Sequence, residues 1–412
     1  MSEGRRRPAA LPLVLTAIVL ISGIFPLSPL RDGVTGKDAE GVALLVPTLY
    51  VLLSPLSRAL DAIGLLSIGQ HVALVVWVIG TSALVSLARG RTRRALSAAA
   101  ISFVVLLAVY SLAIVMPRPM ASLAVSDPDL LRVDFHSHTN ASGDARRAFS
   151  AEQNRSWHRA GGFDAAYISD HRSFAGAVAA RRRNPKRAGD GTVLLSAYEG
   201  RYLGTFEIFL SLDRADSAVL INSRRHLLDG RLLSGRVPVS VVALPSPLFD
   251  VQAVARDGPP RLGGIELIDG SPRGLGQHDR DGAVIIRRAD SLGLALVVGT
   301  NNHGWGRVVP AWTLLKIPGW RLLAPDSLAA RIEGTIRTGP RTVRVIERRR
   351  PVSPTLVGLA LSPPIVAWQT LTALTTGERL AWLVWLWVIT LATARGAAYS
   401  RYTIESLNHL RT

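Results

Sequence analysis

Apolar positions fall into three regimes along this chain. Residues 1–120 and 354–412 carry long unbroken apolar runs, whereas residues 128–345 alternate short apolar runs with polar stretches. Two runs, 71–88 (HVALVVWVIGTSALVSLA) and 95–116 (ALSAAAISFVVLLAVYSLAIVM), contain no Asp, Glu, Lys or Arg. At ~1.5 Å per helical residue, each is long enough to cross roughly 30 Å of hydrocarbon. The run at 11–30 follows Arg5, Arg6 and Arg7. It has the basic start and apolar centre of a leader but no clean small-residue cleavage site, so it is expected to be an anchoring span. The run 380–394 is shorter and rich in tryptophan, which suits a membrane interface. Segment 41–56 is broken by Pro47 and Pro55, and segment 355–374 carries Pro363 and Pro364. Each is compatible with a span or with an interfacial segment.

The middle region has a different rhythm. LRVDFHSH, DAAYISDH, TVLLSAYEG, FEIFLSLD, VSVVALPSP, GGIELIDG and ALVVGTNNH read as short strands, and AEQNRSWHRAGG and GAVIIRRADSLG as helices between them. That alternation predicts an α/β domain with a largely parallel sheet or barrel. In such folds the site gathers at the carboxyl ends of the strands.

Composition narrows the partners. The 412 residues are 48% hydrophobic and carry a net charge of +18. No helix-turn-helix, zinc finger or aromatic-laced basic groove accompanies the charge, so no nucleic-acid partner is expected. The run RRRNPKR at 181–187 reads as a solvated loop. The positive charge suits a phosphorylated small-molecule substrate or the anionic headgroups of a lipid bilayer. The chain has no cysteine, which excludes disulfides and thiolate metal sites.

The stretch VDFHSHTNASGD, residues 133–144, holds the sharpest chemical signal. Strand alternation points His136 and His138 to one side, about 7 Å apart along the strand. Three further strand ends carry ionisable groups: Asp170 with His171, Glu199, and His303. Imidazoles and carboxylates are ligands for zinc, manganese or iron. Scattered surface polar residues would not collect at strand ends.

VDFHSHTNASGD, GFDAAYISDHRS, LLSAYEG and LVVGTNNHGWG resemble, in order, the motifs of the polymerase and histidinol phosphatase (PHP) superfamily. The resemblance covers about residues 130–310. It implies a distorted (β/α)7 barrel, here flanked by transmembrane α-helices, with two or three divalent metals at its mouth that hydrolyse phosphate esters. By the same resemblance His136, His138, Asp144, His171, Glu199, Asn301 and His303 fall at metal-ligand positions, with Glu199 bridging two ions. Asp170 becomes the neighbour that orients His171. Arg172 and Arg307, next to ligand motifs, have the planar fork that suits phosphate oxygens, though each could equally be a surface arginine.

This sequence departs from the pattern in three places. Leu244 stands where the family has a histidine before proline. Asn301 replaces the aspartate of a final Asp-x-His. A further histidine after the Glu199 strand has no match, with Glu207 or His226 as stand-ins. One or two metals are therefore expected.

The expected activity is that of a membrane-anchored phosphoesterase acting on a mono- or diester through metal-activated water. The alternative is a degenerate domain of the same fold serving as a membrane-bound sensor or scaffold. A transporter is disfavoured, because the convincing spans carry no charge. Arg5 to Arg7 and the four arginines of ARGRTRR (88–94) mark the cytoplasmic side of what is expected to be a bacterial inner membrane. If 41–56 does not span, the catalytic domain lies outside the cytoplasm. If both proline-broken segments span, it lies inside.

Overall fold

The computed structural model describes residues 10–171, 173–202, 205–212, 239–244, 261–338 and 342–409. Strands β1 (Leu30–Asp32), β4 (Leu130–Ser137), β5 (Ala165–Ile168), β6 (Val193–Tyr202), β7 (Thr205–Leu210), β8 (Val239–Ala243), β9 (Arg261–Asp269), β10 (Ala295–Gly299), β11 (Ala311–Lys316) and β12 (Val343–Arg348) form one sheet. Its order is β1-β12-β11-β4-β5-β6-β7-β8-β9-β10. Strands β2 (Val42–Leu45) and β3 (Ser122–Val125) pair separately. The sheet curls until the segment after β10 meets β4. There Asn301 N donates to His136 O at 2.8 Å, and His138 N donates to Asn302 O at 3.0 Å.

Alternation builds the interior. Leu131, Val133 and Phe135 of β4, Leu195 and Ala197 of β6, and Val297 of β10 share one buried core. Helix α9 (Pro325–Thr338) packs on the same core through Leu328, Ile332 and Ile336. Helices α6 (Ala151–Ala160), α7 (Ala175–Arg181) and α8 (Pro272–Leu292) follow β4, β5 and β9. Helix α6 starts with a capping box between Ser150 and Gln153. Helix α8 is bounded by a Ser271 cap, with Pro272 at its first turn, and by Gly293 in the left-handed conformation.

The seven-unit (β/α) barrel expected from sequence is met in part. Parallel pairing joins β4 to β5 and β6, and β8 to β9 and β10. Between them β6, β7 and β8 run antiparallel, with β6 and β7 as neighbours in sequence and no helix between them. Strands β11, β12 and β1 extend the other edge, also antiparallel.

Among the described residues, two helices are long and apolar enough to cross a membrane: α4 (Ile68–Ala88) and α5 (Thr92–Val115). Their exposed side chains include Val72, Val76, Leu84, Leu96, Val104 and Leu107. Helices α10 (Leu356–Thr372) and α11 (Thr376–His409) pass the same test only together, and the pair is bent by 114°. The expected span at 11–30 is not one helix. Helix α1 covers Ala10–Ser22, and β1 begins at Leu30. Segment 41–56 holds β2, the short helix α2 (Thr48–Leu52) and the start of α3 (Ser54–Gly64).

A buried ionic seam joins these helices to the sheet. Arg58 of α3 meets Glu378 of α11 through two hydrogen bonds of 2.6 and 2.8 Å. Asp61 of α3 accepts from Arg118, from Arg348 of β12 and from the Tyr50 hydroxyl.

The ring closure rests on Asp134, which is fully buried. Its carboxylate accepts from Thr300 N (2.8 Å), Thr300 Oγ1 (2.5 Å), His136 N (3.2 Å) and His158 Nε2 of α6 (2.7 Å). Removing one partner of such a buried set strands the others, at a cost of about 3–5 kcal/mol. Asp134→Ala is therefore expected to lower the unfolding free energy by about that much, read by denaturant unfolding in mild detergent. An unchanged midpoint would show that Asp134 is not the clasp.

Candidate metal centre

The site is built where β4 ends. His136 and His138 are fully buried, and their Nε2 atoms lie 3.0 Å apart. Glu199, near the end of β6, turns Oε2 toward both, at 3.0 Å from His136 and 3.3 Å from His138. His171, just past β5, brings its Nε2 to 3.2 Å from the same oxygen. His303 stacks on the His138 ring with centroids 4.1 Å apart. Asp144 closes the mouth, with Oδ2 at 3.3 Å from His303 Nε2 and 3.6 Å from His171 Nε2.

The sequence-expected residues His136, His138, Asp144, His171, Glu199 and His303 are thus brought together. Among the described residues, three groups of donors converge closely enough to hold an ion. They are His136 with His138 and Glu199; His138 with His171 and His303; and His136 with Glu266 and Asp269.

The donor set fits a divalent metal. Ligands bound at about 2.0–2.2 Å to one ion lie roughly 3.0–3.5 Å from one another. The separations around Glu199 Oε2 fall in that range. Burial would lower the His136 imidazole, but Glu266 and Glu199 on either side of it raise it well above its ordinary value, so the cluster favours positive charge, on that ring or on a bound cation.

Hydrogen bonds fix which nitrogen each ring presents. The Nδ1 of His303 lies 2.9 Å from the backbone oxygen of Asn301, which can only accept. That nitrogen carries the proton, and Nε2 is left to ligate. Asn301 reaches this position with φ 46°, a left-handed conformation that asparagine tolerates well. His136 Nδ1 meets Glu266 Oε1 at 2.9 Å, the carboxylate–histidine arrangement that orients metal ligands.

Electrostatics follow from burial and proximity. Burial alone would raise the Glu199 carboxyl, but the facing imidazoles of His136 and His138 outweigh it and hold it well below the usual carboxylate range. Burial pushes His138 down to about 3, against Glu199 and with the help of His136 and His303. Its ring is therefore neutral, as a metal ligand must be. Burial pushes Glu266 up to about 7, against the pull of His136.

Other expected site residues sit elsewhere. Asp170 does not hydrogen-bond the His171 ring. Its oxygens accept from Thr139 N at 2.6 Å and Thr139 Oγ1 at 2.7 Å, holding the turn that follows His138. Burial pushes its carboxyl up to about 7, with both Thr139 bonds opposing. The Asn301 side chain lies beside the third donor group, with its Oδ1 buried and without a hydrogen-bond partner among the described residues. Its Nδ2 donates to Asp269 Oδ2 at 2.9 Å. Arg307 lies beyond the donor groups, with Nε donating to Arg118 O at 3.2 Å. Arg172 and His226 fall outside the described residues. Glu207 also falls outside the donor groups. It neighbours Ile208, which pairs with Glu199, so alternation turns it to the opposite face of β7.

Sequence reasoning missed Glu266 and Asp269. Asp269 closes a strand, as the other site residues do, and that signal could have found it. Glu266 lies within β9, where only its position opposite His136 marks it. Leu244, at the position of the missing imidazole, adopts φ 44° and donates its backbone N–H to Glu266 Oε2 at 3.2 Å.

Asp144, His171 and Glu199 open on a cleft of about 730 Å³, walled also by Tyr198 and Phe206.

Matched against protein-family models and curated proteins, the chain finds no counterpart. Among solved structures it is similar to PsfC from Pseudomonas syringae, at 18% identity over 49% of this chain and 88% of that one, with a TM-score of 0.33. It is also similar to a two-domain protein of Bacteroides vulgatus containing a predicted PHP-like metal-dependent phosphoesterase, at 12% identity over 57% and 70% of the two chains and a TM-score of 0.33. A candidate metal-dependent phosphoesterase of Bifidobacterium adolescentis matches at 14% identity over 50% and 96%, with a TM-score of 0.30. Likeness at this level is a partial overlap of folds, and the chemistry has to come from the side chains.

Two outcomes are expected. His138→Ala, which removes a donor shared by two groups, should abolish stoichiometric metal in purified protein. Glu266→Gln should weaken metal binding by about 10–100-fold. Elemental analysis and metal titration read both, and wild-type metal content in His138→Ala would refute the assignment.

A further outcome concerns Glu207. Burial pushes its carboxyl from 4.5 to about 7, with Ser240 opposing. The folded value exceeds the unfolded one, so the penalty is absent below pH 4.5 and grows as pH rises to about 7. Glu207→Gln should therefore gain melting temperature over wild type at pH 8 and lose that advantage at pH 5. An equal difference at both pH values would contradict this.

Proposed function

We propose that this chain is a membrane-anchored, metal-dependent phosphoesterase that hydrolyses a phosphate mono- or diester. The observation that carries the reading is the convergence of three imidazole Nε2 atoms on Glu199 Oε2, at the base of an open cleft. All donors are nitrogen or oxygen, and no thiolate exists in the chain, a set that suits zinc, manganese or iron. His136, His138 and Glu199 would hold one ion, and His138, His171 and His303 would face a second position. The PHP-type barrel implied by the sequence motifs is the architecture most consistent with the curled sheet and its site at the strand ends.

A divalent ion held there acidifies a water and offsets the charge of phosphate oxygens. The remaining work belongs to the protein. Glu266 keeps the His136 ring in one tautomer. The Thr139 turn, tied down by Asp170, keeps His138 from swinging out. Asp144 is half exposed at the mouth, placed to take a proton from an attacking water. Tyr198 and Phe206 wall the cleft against bulk solvent. The surplus positive charge of the chain favours an anionic substrate.

The imidazole lost at Leu244 is nearest the third donor group, through Glu266, and leaves the other two intact. That favours an active enzyme over a degenerate sensor or scaffold. Hydrolysis of generic phosphomonoester and phosphodiester substrates should require added divalent metal and fall at least 10³-fold in Glu199→Gln. Metal-loaded wild type that cleaves neither substrate would favour the scaffold reading.

Membrane placement is supported by α4 and α5 and by strand pairing. Strands β1 and β2 pair with β12 and β3, which keeps residues 30–45 on the side of the sheet. The turn between α4 and α5, carrying Arg89 and Arg91, then lies on the far side, and arginine-rich turns face the cytoplasm. We infer an extracytoplasmic catalytic domain. The absence of cysteine makes the test clean. A single cysteine at Lys37 should react with a membrane-impermeant maleimide in intact spheroplasts, and one at Arg91 only after permeabilisation. The reverse pattern would place the domain inside.

A further inference from the structure

Beyond the metal centre, the junction between the helices and the sheet contains a second built site. A small cavity of about 50 Å³ is lined by Arg58, Arg348, Arg349 and Arg350 together with Gln369. A single water needs roughly 10–15 Å³, so the space suits a small polyatomic group. Next to it is a cavity of about 340 Å³ between α3, α4, α5, α10 and α11, walled by Ile63, Leu74, Leu106, Val366, Ala367 and Trp382. The two cavities share Ala62, Leu66, Val366 and Thr370 and so adjoin across these residues.

The charges at the polar end do not balance. Arg58 is matched by Glu378, and Arg349 by Asp38. Arg118 and Arg348 share the single carboxylate of Asp61. Arg350 meets Asp279 at 2.7 Å. With Arg118, which lies outside the cavity wall, five guanidinium groups of the seam thus meet four carboxylates, and the cavity-lining Arg348 has only a share of one. Arg350 is only 4% exposed, and its Nη1 is buried without a hydrogen-bond partner among the described residues. A buried charge left uncompensated is costly, and so is a buried donor left empty. An anion at this end satisfies both.

The adjoining space specifies the rest of the ligand. Its walls are almost wholly apolar, and it opens between helices whose outer faces are apolar as well. Free phosphate would leave that space to water, which an apolar cavity does not hold well. We propose that the two cavities form one binding site for an anionic phospholipid. Its phosphate lies against Arg350, and an acyl chain lies between α3, α4, α5, α10 and α11. The site rests on the membrane placement inferred above. It is separate from the metal centre, and it would lock the helix bundle to the sheet through the same arginines that form the ionic seam.

The test uses the full chain, delipidated in mild detergent. Phosphatidylglycerol, phosphatidylcholine, diacylglycerol and inorganic phosphate are added separately, and binding is read by native mass spectrometry and thermal unfolding. One phosphatidylglycerol per chain should bind at least tenfold more tightly than phosphatidylcholine or diacylglycerol and raise the melting temperature by several degrees. Arg350→Gln should remove the preference for the anionic lipid. Ala62→Phe, which keeps every ion pair and blocks the shared waist, should remove binding altogether and covers the case in which Arg350→Gln does not fold. Equal binding of phosphatidylglycerol and diacylglycerol, or retention of the lipid in Ala62→Phe, overturns the proposal. So does full stabilisation by inorganic phosphate, which would mark a free-anion site. Resistance of the protein to alkaline extraction from membranes tests the membrane placement separately. A chain that resists extraction but binds no lipid defeats the lipid site alone.

Discussion

Three imidazole nitrogens converge on one carboxylate oxygen, and the cluster is held by positive charge, carried by a ring or by a bound cation. Glu199 Oε2 has the Nε2 atoms of His136, His138 and His171 within 3.3 Å. Much of the surrounding structure serves to keep these rings in place. Glu266 pins one face of His136, and the Asn301 carbonyl pins His303. Asn154 of α6 donates to His138 O at 2.8 Å and to Ser137 Oγ at 2.6 Å, fixing the strand end on which both histidines ride.

That precision needs a frame that does not breathe. Asp134 supplies it, drawing β4, α6 and the segment after β10 onto one carboxylate directly beneath the histidines. Close packing leaves little latitude elsewhere. A Cβ on Gly299 would come within 1.9 Å of Glu266 Oε1, and one on Gly176 within 2.0 Å of Asp170 Oδ2. The absence of a side chain at these two positions lets the supporting carboxylates approach the site. On the opposite flank the arginine seam ties the sheet to the apolar helices, so the centre is held at a fixed position relative to them.

Much of the site was legible in the chain itself, because strand alternation and strand ends are local signals. The HxH pair, His171, Glu199 and His303 were marked by strand ends and Asp144 by the family resemblance, and the fold brings these six side chains together. Glu266 could not be marked in this way, since its role depends on a partner 130 residues away across the curled sheet. Asp170 was assigned to the ring beside it in sequence, whereas its hydrogen bonds go to Thr139 on the neighbouring strand end. The antiparallel run through β6, β7 and β8 was hidden for a similar reason: a buried strand reads the same whichever way its neighbour points. At the amino terminus, apolar composition from 11 to 30 predicted one span, but Pro26 and Pro29 end the helical run and free the chain to pair as β1.

X-ray absorption at the metal edge of purified, metal-loaded protein addresses the centre most directly, because it reads the ligands rather than their consequences. The account predicts nitrogen and oxygen neighbours at about 2.0–2.2 Å, with the multiple-scattering pattern of at least two imidazoles, and loss of one imidazole contribution in His136→Ala. A spectrum with only oxygen neighbours, unchanged by that substitution, would show that the ion sits elsewhere and that the convergence on Glu199 is not a metal site.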